Sequence, residues 1–214
     1  MFAQLTRYGR DPARPRRTHT WDQPYRWERR ARHNGVPELV FTCSLSDWFI
    51  EEADPWRDDL WEIIRDCPHL IFQILTKRPR RVRDHLPADW GGGYPNVWLG
   101  VSIENQDYLG RADVLRQVPA RVRFLSAEPL LGPLPELDLA GIHWLIVGGE
   151  TGPQFRPMDP AWARELRDKA RAAGVAFFFK QSSGRLPGRG DLLEGRPWKE
   201  FPAAFADSQH VMDA

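Results

Sequence analysis

Apolar positions along the chain are bunched into six short runs, each of which ends abruptly in polar residues. LVFTCSLSD ends at Asp47, LIFQILTKRP passes through Thr76 and Lys77, and NVWLGVSIEN reaches Ser102 and Glu104. RVRFLSAEPLLGP ends in Ser126, Glu128 and Pro129, WLIVGGETG reaches Glu150, and VAFFFKQ reaches Lys180 and Gln181. A run of apolar, β-branched and aromatic residues closed by a turn signal predicts a strand covered on both faces, where alternation is lost because neither face meets water. Successive tips lie 22 to 30 residues apart, a spacing that suits repeated strand-helix units. The predicted class is α/β, a partial (β/α) barrel of about six parallel strand-helix units, because 214 residues fall short of the roughly 250 of a complete eight-unit barrel. Parallel strands present their C-terminal ends along one edge, so Asp47, Lys77, Glu104, Glu128, Glu150 and Lys180 are expected to converge at one mouth.

The segments between the runs supply the helices. Asp54-Pro55 predicts a helix start, a capping carboxylate followed by proline in the first turn, and Leu60, Trp61, Ile64 and Cys67 recur at helical spacing after it. A short basic helix is expected through Val82 to Leu86, and Gly91-Gly92-Gly93 makes a connection to the next strand. Asn105 can cap a helix carrying Leu109, Ala112 and Leu115. The proline-rich exit Leu130–Pro135 predicts an irregular lid. Asp159-Pro160 repeats the cap-plus-proline device, with Trp162, Leu166 and Ala170 as the buried stripe and Gly174 as a left-handed C-cap. Residues 182–202 have loop composition. Tyr25 and Trp27, among charges after Trp21-Asp22-Gln23-Pro24, either cover a barrel end or stack on a base. These features divide the chain into an arginine-rich segment 1–20, a barrel domain 21–202 and a tail 203–214.

Charge changes this picture only locally. Lys+Arg 30 against Asp+Glu 29 gives no overall bias toward nucleic acid or an acidic membrane, but Arg7, Arg10, Arg14, Arg16, Arg17, Arg26, Arg29, Arg30 and Arg32 crowd the N-terminal part. That segment reads as a solvated arm, or as a contact to a phosphate backbone. Two widely separated cysteines, Cys43 and Cys67, and the lack of a signal peptide predict a reduced, cytoplasmic protein. No apolar run approaches the roughly 20 residues of a membrane span.

The chemistry is expected at the strand tips, where carboxylates and lysines either neutralise one another as a ring of salt bridges or bind a ligand. Gly148-Gly149-Glu150 removes side chains at a strand end, so that a ligand can approach the backbone. Ser102-x-Glu104 and Ser126-x-Glu128 each set a hydroxyl and a carboxylate on one strand face. Lys77, Arg78 and Lys180 supply cationic donors. No G-x-S-x-G elbow is present, Cys43 has no neighbouring histidine in sequence, and the six histidines lack metal-ligand spacing, so no protein metal site is predicted.

Six ordered blocks resemble one known family. They are Ser44-Leu45-Ser46-Asp47, Leu75-Thr76-Lys77-Arg78-Pro79, Asn96 to Ser102, Arg123 to Leu130, Val147-Gly148-Gly149-Glu150 and Phe178-Phe179-Lys180-Gln181. Over about Asp22 to Pro202 the chain resembles the phage gene-product-37/68 family, a domain of unknown function grouped with the radical S-adenosylmethionine barrels. The resemblance implies S-adenosylmethionine and a [4Fe-4S] cluster as cofactors. It implies cofactor contacts from Ser102, Glu104, Ser126, Glu128, Gly148, Gly149 and Glu150, catalytic roles for Lys77 and Lys180, and substrate contacts from Asp47, Thr76, Arg78 and Gln181. The family's C-x3-C-x2-C cluster motif is absent from this sequence. Three thiolates leave one iron open for the methionine group, and Cys43 and Cys67 cannot replace them. Met1-Phe2-Ala3-Gln4 resembles the interior of the helix that follows the cluster loop, which implies a start placed too late or a truncated gene.

Two other classes stay open at this point. A magnesium-dependent lyase would use Asp47, Glu104, Glu128 and Glu150 as oxygen ligands with a lysine as base. A non-catalytic module would bind nucleic acid through the N-terminal arginines, or another protein. The substrate is not identified on any of these readings.

Overall fold

Strands and helices alternate along the chain in the computed structural model, which describes residues 17, 20–44 and 46–205. The expected segment 1–20 and tail 203–214 lie largely outside the described residues. Six strands form one sheet in the order β1-β2-β3-β4-β5-β6, the singly wound sequence of a (β/α) unit repeat, so the α/β class read from the hydrophobic runs is the one observed. The described residues fall into two compact units, one built on residues up to Trp98 with Pro119–Arg121, the other on Leu99–Val118 with residues 122–205.

In the first unit, helix α1 (Gln23–Asn34) starts with proline in its first turn and stops at Gly35, whose φ of 65° is the left-handed conformation that glycine adopts without cost. Tyr25 and Trp27 lie on this helix; its sequence, dense in arginine, hides the apolar period. Strand β1 (Glu38–Phe41) pairs in parallel with β2 (Leu70–Thr76), from Glu38 against Leu70 to Phe41 against Gln73. Helix α2 (Arg57–Asp66) follows a 3-10 turn over Glu51–Trp56. This departs from the expected cap, because the Asp54 carboxylate binds Arg57 Nη2 at 2.5 Å and Arg81 Nη2 at 2.6 Å instead of a backbone N–H. Two hydrogen bonds between opposite charges outcompete one to an uncharged backbone N–H. They hold the Asp54 carboxyl down at about 2, with the hydrogen bond from Arg57 as the leading cause.

The unit's core is aromatic: Trp61 stacks against Trp48, Trp90 and Tyr94 with ring centroids 5.5, 5.4 and 6.2 Å away. Trp61 donates Nε1 to His85 O at 3.0 Å, and Trp90 donates to Pro119 O at 2.8 Å, so these two indoles are buried with their N–H groups satisfied, whereas Trp48 Nε1 is buried without a partner among the described residues. The expected short basic helix is α3 (Pro79–Val82), which runs on into a 3-10 turn. Gly93, at φ 107°, lies so close to Ala120 that a Cβ there would come within 2.8 Å of the Ala120 Cα.

Strand β3 (Val97–Ser102) is buried throughout. In the second unit, helix α4 (Gly110–Arg116) follows a turn capped by Asn105, whose side chain accepts from Asp107 N at 3.0 Å. Strands β4 (Val122–Ala127), β5 (Trp144–Gly148) and β6 (Ala176–Gln181) pair in parallel in that order. Helix α5 (Pro160–Ala172) starts as its sequence predicts, with Asp159 Oδ1 accepting from Ala161 N at 2.8 Å, and Gly174 takes the left-handed position after it at φ 66°. β4 is buried over nearly its whole length, whereas β1 and β6 at the two ends of the strand order are only half-buried; the outer edge of β6 is met by residues 198–200, with Phe179 N donating to Trp198 O at 2.8 Å and Glu200 N to Phe177 O at 3.1 Å. The region expected to be loop holds a small hairpin, β7 (Leu192–Leu193) with β8 (Arg196–Pro197), turning at Glu194 and Gly195, both at positive φ. Two-residue strands are too short to show a period in sequence.

Candidate functional site

Strand ends gather the predicted residues into separate groups within each unit. In the first, Asp47 stands in the loop after β1 but folds back onto the end of β2. Its Oδ1 accepts from Thr76 Oγ1 at 2.7 Å and from Phe49 N at 2.9 Å, and its Oδ2 accepts from Lys77 N at 2.7 Å. Arg78 Nη1 lies 3.3 Å from the same carboxylate, and Arg78 N donates to Thr76 Oγ1 at 2.8 Å. Asp47 and Thr76 are buried, Arg78 is half-exposed, and the set fixes the backbone that presents Lys77.

In the second unit three glutamates follow three strands, and each meets a cation. Glu104, two residues past β3, accepts from Arg111 Nη1 at 2.9 Å, and the same nitrogen donates to Ser102 O at 2.7 Å. Glu128, one residue past β4, lies 2.8 Å from Lys180 Nζ and accepts more weakly from Gln181 Nε2 at 3.5 Å. Glu150, two residues past β5, is held by Arg156 three times: Nε to Oε2 at 2.8 Å, Nη2 to Oε1 at 2.7 Å and backbone N to Oε2 at 2.8 Å. That grip keeps the Glu150 carboxyl down at about 2, first through the side-chain hydrogen bond from Arg156. Arg156 is raised in turn, first by its hydrogen bond to Glu150 and, more weakly, by the charge of Glu104.

Local structure explains how these side chains are aimed. The β5–β6 register slips between Val147 and Gly148: Val147 faces Phe179 and Gly148 faces Gln181, so Lys180 is left out of the ladder in a bulge. Burial alternates along β6, so Lys180 faces outward to Glu128 while Phe179 and Gln181 stay buried. Gly148 leaves room for the Glu128 side chain, whose Cδ would lie 3.2 Å from a Cβ at that position. Gly149 is packed against the chain that leaves β6, where a Cβ would approach the Ser183 Cα to 2.6 Å. The expected irregular exit after β4 is tied down by Leu130 N to Gly148 O at 2.8 Å and Leu131 N to Glu104 O at 2.8 Å. The hydroxyl-bearing Ser102 and Ser126 are buried at the ends of β3 and β4. Gln181 is buried too; its Oε1 accepts from Gly188 N at 2.6 Å.

Two residues of this site escape sequence reasoning, Arg111 and Arg156. Both lie off the strands, and only Arg111 carries a local signal, standing seven residues after Glu104 at the start of α4. Among the described residues no group of three or more His, Cys, Asp or Glu is arranged to hold a metal ion. No helix among them is long and apolar enough to cross a membrane.

A family profile described as "Protein of unknown function (DUF5131)" matches residues 3–202. The chain belongs to the DUF5131 family. That description gives DUF5131 no activity, no phage grouping and no radical chemistry. No curated protein and no solved structure matches the chain.

Proposed function

We propose that this DUF5131 protein binds S-adenosylmethionine at the strand ends of its second unit, as the resemblance to the radical S-adenosylmethionine barrels implies. The observation that carries the reading is the run of three carboxylate-cation pairs, Glu104–Arg111, Glu128–Lys180 and Glu150–Arg156, after three successive strands. An amino-acid head group presents one ammonium and one carboxylate, so it can enter between a glutamate and its cation without leaving either charge unpaired. Ligands that lack one of those charges would leave a partly buried ion uncompensated, which is costly. Glu150 and Glu104 are the acceptors for the ammonium, and Arg156 is the donor to the carboxylate. Lys180, on the outward face of β6, stands beside Glu128 as the candidate proton-bearing group. When bound, S-adenosylmethionine supplies a sulfonium whose carbon bonds can be cleaved.

The [4Fe-4S] cluster that the resemblance also implies does not fit the residues present. Three thiolates are required, whereas this sequence has two cysteines, one of which, Cys67, is fully buried with its thiol pushed up to about 12 by burial.

Thermal unfolding of the purified protein with S-adenosylmethionine, and separately with ATP, tests the proposal. A midpoint that rises with S-adenosylmethionine concentration and not with ATP is the expected result. Equal responses to the two, or none, count against the reading.

A further inference from the structure

Beyond β6 the chain forms a loop, residues 182–190, with the sequence Ser-Ser-Gly-Arg-Leu-Pro-Gly-Arg-Gly. Its base is closed by Ser182 N donating to Gly190 O at 2.7 Å. Gly188 N donates to the buried Gln181 Oε1 at 2.6 Å, Gly184 N donates to Glu150 O at 3.1 Å, and Met158 N donates to Ser183 Oγ at 3.0 Å. Gly188 and Gly190 have φ of 71° and 66°, conformations in which a side chain would be strained. The loop is therefore a fixed projection anchored to the ends of β5 and β6, beside Glu150.

Its tip carries Arg185, Leu186, Pro187 and Arg189, all exposed, with Leu186 at 62%. Among the described residues neither Arg185 nor Arg189 has an ion-pair partner. The carboxylates nearest in sequence are already engaged: Asp191 faces Lys199 at 3.5 Å, and Glu194 pairs with Arg167; the spatially adjacent Glu150 is held by Arg156. Two uncompensated guanidiniums bracket an exposed leucine and proline on a projection whose backbone the sequence has fixed with glycines.

We infer that this loop is a contact site for single-stranded nucleic acid. Guanidinium groups match phosphate, and the Leu186-Pro187 surface between them matches the face of an unstacked base. A strand that alternates phosphate and base satisfies both kinds of group, whereas free phosphate satisfies only the arginines. A duplex keeps its base faces stacked. The site is exposed, which suits an extended polyanion lying across it better than a small anion enclosed in a pocket. The inference holds whether or not the neighbouring glutamates receive S-adenosylmethionine, since its test is binding alone.

The test is fluorescence anisotropy of labelled single-stranded DNA and RNA of about 20 nucleotides, titrated with the full chain between about 50 and 200 mM salt. The wild type is expected to bind, with log affinity falling linearly with log salt. R185A/R189A, checked for an unchanged thermal midpoint, is expected to lower that slope by roughly 1.4, the value for two lost phosphate contacts on a single strand. R185K/R189K keeps most of the binding, L186A weakens it severalfold at every salt concentration, and R29A/R32A, on exposed positions of α1, leaves it unchanged. The inference is overturned if the wild type binds neither strand, prefers the matching duplex, or loses the oligonucleotide to millimolar inorganic phosphate. An R185A/R189A variant with the wild-type slope overturns it as well.

Discussion

Arg156 grips Glu150 through both its guanidinium and its own backbone N–H, closing a three-bond clasp at the end of β5. A carboxylate held this way has its pKa lowered in the folded state, to about 2. The clasp therefore stabilises the fold at every pH above the unfolded carboxyl range, and that contribution is lost as pH falls from about 4.3 toward about 2. Chemical denaturation of wild type and E150Q should differ most at neutral pH, with the gap closing across this acid window. A gap that is constant with pH would show that the carboxylate charge is not what the clasp uses.

Asp47 predicts a different kind of loss. Its two oxygens accept from Thr76 Oγ1, Lys77 N and Phe49 N in a buried position, so removing them strands donors away from water. D47A is expected to destabilise the fold by about 2–4 kcal/mol, and T76V, which removes one donor to the carboxylate together with the acceptor of Arg78 N, by about 1–2 kcal/mol. Urea denaturation reads both. Equal, near-zero effects would mean that these groups are not structurally committed.

Gly149 and Gly132 make a matched pair. A methyl group at Gly149 overlaps the backbone of residues 182 and 183, while at Gly132 nothing lies within 4 Å and φ is not positive. G149A should cost about 1–3 kcal/mol, and G132A should be neutral or slightly stabilising. Thermal midpoints of the two variants decide it, and a neutral G149A would mean that the chain after β6 does not pack where it is described.

Much of this architecture was legible in the sequence because buried parallel strands write themselves as uninterrupted apolar runs. The runs ending at Ser102, Glu128, Glu150 and Gln181 predicted β3 to β6 and the residues at their exits. What stayed hidden depends on partners distant in sequence. Nothing near Asp54 in the chain announces Arg81, which takes the carboxylate away from its capping role. Nothing in Val-Ala-Phe-Phe-Phe-Lys-Gln reveals the register slip that leaves Lys180 out of the ladder, since a bulge is a relation between two strands. Arg156 lies in a connection without a period, so its pairing with Glu150 becomes visible only in three dimensions. Helix α1 was obscured for the opposite reason: its arginines swamp a modest apolar face.

Lys180 gives a prediction about aim. K180M removes the ammonium that faces Glu128 while keeping the stem, so ligand binding should fall by about tenfold, in line with the roughly 1.5 kcal/mol of a charge-assisted contact, with little change in stability. K180R, with a longer planar head, should restore part of the affinity. Loss of folding in K180M would instead mark the residue as structural.

The most direct measurement is equilibrium dialysis of S-adenosylmethionine and of its analogue lacking the α-amino group, against wild type and E150Q at neutral pH. The account predicts that wild type prefers the complete ligand by at least about tenfold, and that E150Q loses most of that preference, as expected when the carboxylate that pairs with the ammonium is removed. Equal binding of the two ligands by wild type, or an E150Q variant with undiminished preference, would contradict the claim that the glutamate-cation pairs of the second unit read an amino-acid head group.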